Sequence, residues 1–258
     1  MVAAAALAAV SLSSAPRASA DVVERTGVTE FDVATVFRSF FGGSSRNIVE
    51  PGGSGRYQVN GDRNNSAQNV FGIYTVFDIP TADLAGDTVT DLASLSLSLP
   101  PAARTDNGEG GIQDAGDLSI WFTTNADPIS NLEFVSESGP PFTTPTGFGD
   151  QFDDRVLLSS GFEAEGVRTI ERDLAFDAAT ETQLLAAINA GEPIRLLLAS
   201  QDPGAVFQFG TGNPPSSTIL PFAGDAPTVA FDLTVVPEPT LGLGLVVLTA
   251  GGLMRRRS

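Results

Sequence analysis

Short runs in which apolar and polar residues alternate fill the middle of this 258-residue chain. The clearest is LSLSL at residues 95–99, where the leucines fall on one side of an extended strand and the serines on the other. Glycine, proline, asparagine and aspartate, which are typical of turns, separate one run from the next. A period of two argues against a mainly helical fold and predicts β-sheet with one buried face.

Eight further runs of β-type residues lie at 70–78, 118–123, 132–136, 155–158, 167–176, 194–199, 205–209 and 228–235. About nine strands joined by long polar loops predict an all-β fold, a β-sandwich of the jelly-roll type. No repeat of fixed period and no linker tract interrupts them, so we expect one domain over residues 21–235. The glycine-rich stretch 42–55 has little apolar content and predicts a loop.

One segment of the body has a helical period instead. Thr180 with Gln183 three residues later fits a capping box, and Gly191 is placed as a C-cap. The apolar positions between them share one helix face and are Leu184, Leu185 and Ile188. We expect this short helix to pack over an end or an edge of the sandwich.

The charge balance excludes several classes of function. The chain has 31 acidic residues against 14 basic ones, and its formal net charge is −17. A surface of that sign repels phosphate backbones, so we exclude a nucleic-acid partner. The chain also has no histidine and no cysteine, which excludes Ser-His-Asp and Cys-His catalysis and removes the usual zinc ligands.

Residues 1–20 predict a secretory signal peptide. An alanine-rich apolar run is followed by Ala18-Ser19-Ala20, an A-x-A-like cleavage site, and then by Asp21. We therefore predict that the chain is exported and that its mature part begins at Asp21. The alternative is a buried or amphipathic alanine-rich helix.

A second apolar segment, at residues 241–254, lies near the C-terminus. It stands between two polar elements, namely the motif Val236-Pro237-Glu238-Pro239 and the cluster Arg255, Arg256 and Arg257. A helix of this length reaches only about 21 Å, short of the ~30 Å hydrocarbon core of a bilayer. Arginines on the cytoplasmic side would hold such a segment for a time, so we predict an apolar C-terminal helix that anchors the chain transiently in the inner membrane.

The motif, the apolar stretch and the arginine cluster, in this order, resemble the PEP-CTERM sorting signal. The resemblance implies that an exosortase, a membrane transpeptidase-like protease, recognises residues 236–258 and cleaves near Pro-Glu-Pro. It also implies a bacterium that makes extracellular polysaccharide, and delivery to the cell surface or the extracellular space. The alternative is a monotopic or single-span anchor with an incidental Pro-Glu-Pro linker.

A second resemblance lies within the body. The segments VFDIP at residues 76–80 and VTDLASLSL at 89–97 are similar to a pattern found in jelly-roll domains of the carbohydrate-binding-module and surface-adhesin kind. This resemblance implies a sandwich crossed by a strand, a short loop and the next strand. It supports the fold more than any ligand, and extracellular polysaccharide is kept as a candidate partner of the body.

Two acidic clusters are candidates for calcium binding, because carboxylate oxygens are hard ligands of the kind that calcium prefers. The first consists of Asp106, Glu109, Asp114 and Asp117, and the second of Asp150, Asp153 and Asp154. Neither has the spacing of an EF-hand loop. The alternative is that both are acidic surface loops that keep the chain solvated. No other cofactor is predicted.

We expect the body to be non-enzymatic, with a structural, adhesive or carbohydrate-associated role. The alternative is a polysaccharide-processing enzyme that uses a pair of carboxylates. Trp121 bears on this choice, because the period of two places it on the strand face opposite Leu118 and Phe122. On an open face the indole would be free to stack on a sugar, but we favour its burial in a core on the second side.

Overall fold

The computed structural model describes residues 21–28, 32–41, 44–51, 56–61, 70–82, 87–104, 108, 110–133, 148–202, 204–212 and 222–237. The predicted signal peptide at 1–20 and the sorting signal from Glu238 onward lie outside the described residues. Asp106 and Glu109, two of the predicted calcium ligands, also lie outside them.

Strands dominate the described part of the chain. They are β1 (Asp21–Val28), β2 (Asp32–Phe41), β3 (Ser44–Pro51), β4 (Arg56–Asn60), β5 (Val70–Ile79), β6 (Asp87–Leu99), β7 (Ala103–Arg104), β8 (Ile112–Asp114), β9 (Gly116–Thr123), β10 (Val156–Glu163), β11 (Ile170–Asp173), β12 (Ile194–Ala199), β13 (Val206–Gly210), β14 (Phe222–Ala223) and β15 (Thr228–Pro237). One α-helix, α1 (Ala178–Ala190), and two 3₁₀ turns, Ile129–Asn131 and Gly149–Phe152, complete the described elements.

Two main sheets form the fold. The smaller has the strand order β1-β15-β6-β11. The larger follows the order β10-β9-β12-β5-β4-β13-β8, and β2, with β3 beside it, also pairs with β5. All pairings between these described strands are antiparallel, as are those of the small β7-β14 ribbon.

A single hydrophobic core joins the two sheets and the helix. The smaller sheet contributes, among others, Leu95, Leu97, Val229, Phe231 and Leu233, and the larger sheet contributes Phe77, Ile120, Leu196, Leu198 and Phe207. Burying side chains of this size stabilises the fold by roughly 1.5–3 kcal/mol each. The predicted all-β sandwich is confirmed, and its core lies between the two sheets.

In strand β6, buried residues alternate with half-buried ones, as a period of two predicts. Leu95, Leu97 and Leu99 are buried, whereas Ser96 and Ser98 are half-buried on the other face. The alternation predicted at 95–99 is therefore confirmed, although the strand begins earlier, at Asp87.

Some strand predictions were wrong. The loop predicted at 42–55 contains β3, which is one of four strands before residue 70 that the sequence analysis missed. The run predicted at 167–176 contains only the short β11. Leu132 and Glu133 are not in a strand, and the rest of the run at 132–136 lies outside the described residues.

The predicted helix is confirmed, but it begins earlier than expected. Asp177, in an extended conformation, is the N-cap, and its side chain accepts a hydrogen bond from the Thr180 backbone N–H at 2.8 Å. The capping box at Thr180 is therefore wrong, because the helix-favouring Ala178 and Ala179 let Asp177 take that role. Gly191 ends the helix at φ 68°, as predicted.

Helix α1 packs against the core through its apolar face. Leu184 and Ile188 are fully buried, and Leu185 is partly buried beside them. Within the described part of the chain, no helix combines the length and the apolar character that crossing a membrane requires. The predicted apolar helix at 241–254 lies outside that part.

Candidate functional site

A groove of about 510 Å³ lies at one end of the sandwich, between α1 and the ends of strands β5, β9 and β12. Its lining consists of Asp78, Phe122, Thr123, Thr124, Asn125, Ala126, Gln183, Ala186, Ala187, Ala190, Glu192, Pro193 and Arg195. The volume is within the usual range of small-ligand sites, and most of the lining is apolar or uncharged. Its size and lining make this groove a candidate binding site.

A buried ion pair forms part of the groove wall. Strand β12 lies between β5 and β9, which places Arg195 directly opposite Asp78 on one side and Thr123 on the other. The Arg195 Nε and one terminal nitrogen donate to the two Asp78 carboxylate oxygens, each at 2.7 Å. Arg195 is only 7% exposed, so this bidentate pair is largely removed from water.

The same guanidinium holds the loop that follows β9. Its other terminal nitrogen donates to the backbone oxygens of Asn125 at 2.9 Å and Asp127 at 2.8 Å. A buried charge is tolerated when partners surround it, and here two carbonyls add to the Asp78 carboxylate. Arg195 therefore fixes the position of residues 125–127 relative to the sheet.

Asp154 holds the end of β9 from outside the groove. Its carboxylate accepts hydrogen bonds from the Thr123 hydroxyl at 2.7 Å, the Thr124 backbone N–H at 2.6 Å and the Thr124 hydroxyl. Partial burial by itself raises the pKa of this carboxyl, but the hydrogen bonds outweigh it and lower the pKa from its usual value. Asp154 is thus ionised at neutral pH and acts as an anchor for the loop.

The helix side of the groove is anchored as well. The Asn189 side chain accepts a hydrogen bond from the Val89 backbone N–H at 2.8 Å and donates to the Val89 backbone oxygen at 2.9 Å. The Thr81 hydroxyl donates to the Glu192 backbone oxygen at 2.7 Å. Both walls are therefore fixed before any ligand arrives, which limits the entropy lost on binding.

The predicted calcium ligands that the structure describes do not form a group of three or more side chains able to hold a metal ion. Asp114 is exposed on β8, whereas the Asp117 backbone N–H on β9 donates to an Asp202 carboxylate oxygen at 2.6 Å. Asp150 and Asp153 are exposed around the 3₁₀ turn that ends at Phe152. No group of three or more acidic side chains placed to hold a metal ion occurs among the described residues. Calcium binding stays a prediction, since Asp106 and Glu109 lie outside them.

Trp121 lies on the outer face of β9, opposite the core face of Leu118, Ile120 and Phe122, as the period of two predicted. It is half-buried against a second cluster whose buried members are Tyr74, Val76, Leu132, Phe148, Phe152, Leu197 and Ala199. The Arg155 guanidinium lies 5.8 Å from the centre of the indole ring. The larger sheet is therefore covered on both faces here.

Sequence reasoning missed the Asp78–Arg195 pair. The sequence did contain a signal, because Arg195 interrupts the apolar run at 194–199. If that strand is buried on both faces, the arginine side chain has no access to solvent. A charge at such a position needs a partner, but nothing local says that the partner is Asp78, 117 residues away.

No protein-family model matches the chain, and a comparison with curated proteins finds no significant match. Chemically, the groove offers hydroxyl, amide and methyl surface, with one ion pair already formed in its wall.

Proposed function

We propose that this chain is an exported protein of the cell surface or extracellular matrix, with a non-enzymatic structural, adhesive or carbohydrate-associated role, sorted by an exosortase. The observation that carries this proposal is the pairing of the two ends of the body. Strand β1 is antiparallel to β15, and Asp21, the predicted first residue of the mature chain, lies opposite Val235. The sorting motif begins at the next residue, Val236.

Both predicted processing points therefore lie at one end of the smaller sheet. Val236 and Pro237 extend β15 and pair with Thr88 and Asp87 of β6. A body whose two ends leave side by side can remain attached to a membrane on one side while the rest of it faces outward. This arrangement suits a protein that passes through a transient anchored stage during export.

The groove gives the enzymatic alternative little support. A glycosidase needs two carboxyl groups that face each other across the substrate, at about 5–9 Å. Asp78 already has both carboxylate oxygens bonded to Arg195, which keeps it from acting as a free acid or base. Glu192 is the other carboxylate among the described lining residues.

The test is the mass of the protein recovered from outside the cells of the bacterium that makes it. We expect a mature chain that begins at Asp21 and lacks Arg255, Arg256 and Arg257. A strain without exosortase, and the variant Glu238→Ala, should both retain the tail and stay with the membrane fraction. Glu165→Ala, which changes an exposed acid of the body, is the matched control and should be processed normally.

An exterior protein that still carries Arg257 would contradict the sorting proposal. Full retention of the wild-type chain in the cytoplasm would contradict export itself.

A further inference from the structure

We propose that the groove beside α1 binds a short stretch of a neutral polysaccharide. This inference rests on the surface role proposed above and assigns that role a site and a ligand class. It is carried by three properties of the groove, namely its charge, the chemistry of its lining and its anchored walls.

The charge of the groove disfavours anionic ligands. Arg195 is the one cation among the described lining residues, and its guanidinium already bonds Asp78 and the carbonyls of Asn125 and Asp127. The Glu192 carboxylate and the net charge of −17 repel a further negative group. Uronate, sulfate and phosphate polymers are therefore poor partners.

The lining matches a neutral polyol better. Gln183 brings an amide that both donates and accepts hydrogen bonds, as sugar hydroxyls do, and the Thr124 hydroxyl, which donates its proton to Asp154, is still able to accept one. On the helix side, Ala186, Ala187 and Ala190 offer methyl surface for the C–H faces of a sugar ring. Asp78 is neutralised by Arg195, so it gives a cationic ligand no strong advantage.

The anchored walls favour binding without rearrangement. Arg195 and Asp154 fix the loop after β9, and Asn189 fixes the end of α1 to β6. Phe122 is only 2% exposed, so it offers no open ring for stacking. A single site should therefore bind weakly, and a polymer that engages many copies at a surface gains avidity.

The experiment uses the full chain in mild detergent, run through native gels that contain polysaccharide extracted from the producing bacterium. The polysaccharide is first divided by anion exchange into a neutral and an acidic fraction. We expect the neutral fraction to retard the wild-type chain, and the acidic fraction to have no effect at the same concentration. Gels without polysaccharide correct for mobility.

Two variants locate the binding in the groove. Ala186→Trp and Ala190→Phe each put a large side chain into the groove from an exposed helix position. Each should reduce retardation by the neutral fraction at least tenfold. Ala179→Trp, at an exposed position of the same helix that does not line the groove, is the matched control and should be retarded like the wild type. Circular dichroism and thermal unfolding identify any variant that has lost its fold, and the second groove variant then decides.

The proposal is overturned if the neutral fraction fails to retard the wild-type chain, if the acidic fraction retards it more strongly, or if both folded groove variants bind like Ala179→Trp. These results are independent of tail processing, which is measured by mass on cell-derived protein. A failure of the groove proposal is thus distinguishable from a failure of the sorting proposal.

Discussion

The two faces of β12 stabilise the molecule in different ways. Ile194, Leu196 and Leu198 face the core between the sheets, and every one of them is apolar and buried. On the outer face, Arg195 holds Asp78 and the β9 loop, while Leu197 packs in the small cluster around Tyr74. One strand therefore contributes to a large apolar core on one side and to a small, directional site on the other.

Because of this difference, the two faces tolerate different kinds of substitution. Apolar contacts are non-directional, so the inner face responds mainly to lost volume. Hydrogen-bonded and ionic contacts depend on each partner, so the outer face responds to the loss of a single group.

Removing the Asp78 charge should have the largest effect. Asp78→Asn leaves the Arg195 guanidinium buried without its anion, which we expect to lower the free energy of unfolding by about 3–5 kcal/mol. Denaturant unfolding followed by fluorescence measures the change. Asp173→Asn, at an exposed site on β11, is the control and should stay within about 0.5 kcal/mol of the wild type. An equally small effect at Asp78 would contradict the structural role given to the pair.

Neighbouring leucines of β12 compare the two faces directly, because Leu196 and Leu197 are both fully buried. Leu196→Ala should lower the free energy of unfolding by about 2–5 kcal/mol, as large cavities in a continuous core do. Leu197→Ala should lower the free energy of unfolding by less than Leu196→Ala does, because the smaller cluster can relax around the cavity. Leu157→Ala, 44% exposed, serves as the surface control. Equal losses for Leu196→Ala and Leu197→Ala would remove the distinction between the faces.

A smaller effect is expected at Tyr74, whose hydroxyl donates to the Glu133 backbone oxygen at 2.9 Å and accepts from Gln151 at 3.2 Å. Tyr74→Phe should lower the free energy of unfolding by about 1 kcal/mol at neutral pH, the usual value of a lost buried hydrogen bond.

Burial raises the pKa of Tyr74 above its ordinary value of 10.0, so the folded state resists ionisation. Wild-type stability should therefore decline as the pH rises above 10.0, and Tyr74→Phe should decline less steeply.

The smallest effect is expected at Asp154, which lies at the surface. The pKa of Asp154 is lower in the folded state than its ordinary value of 3.8. The ionised carboxylate therefore stabilises the folded protein at pH values above 3.8, and this stabilisation is lost as the pH falls through the lowered pKa. Asp154→Asn should be slightly less stable at neutral pH and should lose less stability on acidification. Hydrogen exchange of the Thr124 backbone amide should be faster in the variant, because that amide loses its bond to the Asp154 carboxylate. Exchange is measured between pH 3 and pH 7, about the range in which carboxyl groups titrate. An unchanged exchange rate would argue against its anchoring role.

Prediction from sequence succeeded at several places where the pattern is local, although it missed β4, whose residues RYQVN also alternate. The alternation at 95–99, the apolar strand at 194–199 and the C-cap at Gly191 each depend on a few adjacent residues and were all found. It failed for β3, whose residues SSRNIVEP have no apolar alternation. That strand forms because β2 offers it an unpaired edge, a reason that no short window of sequence contains.

By itself, the sequence determined that the body is a layered β-structure, since alternation such as that at 95–99 places one face of a strand in a core. It also supplied the two ends from which export and sorting are proposed. Only the tertiary structure decided that Arg195 lies between Asp78 and Thr123, and that Asp21 lies beside Val235. The physical reason is that periodicity fixes the direction of a side chain, whereas the choice of partner strand depends on how the whole chain closes around its core.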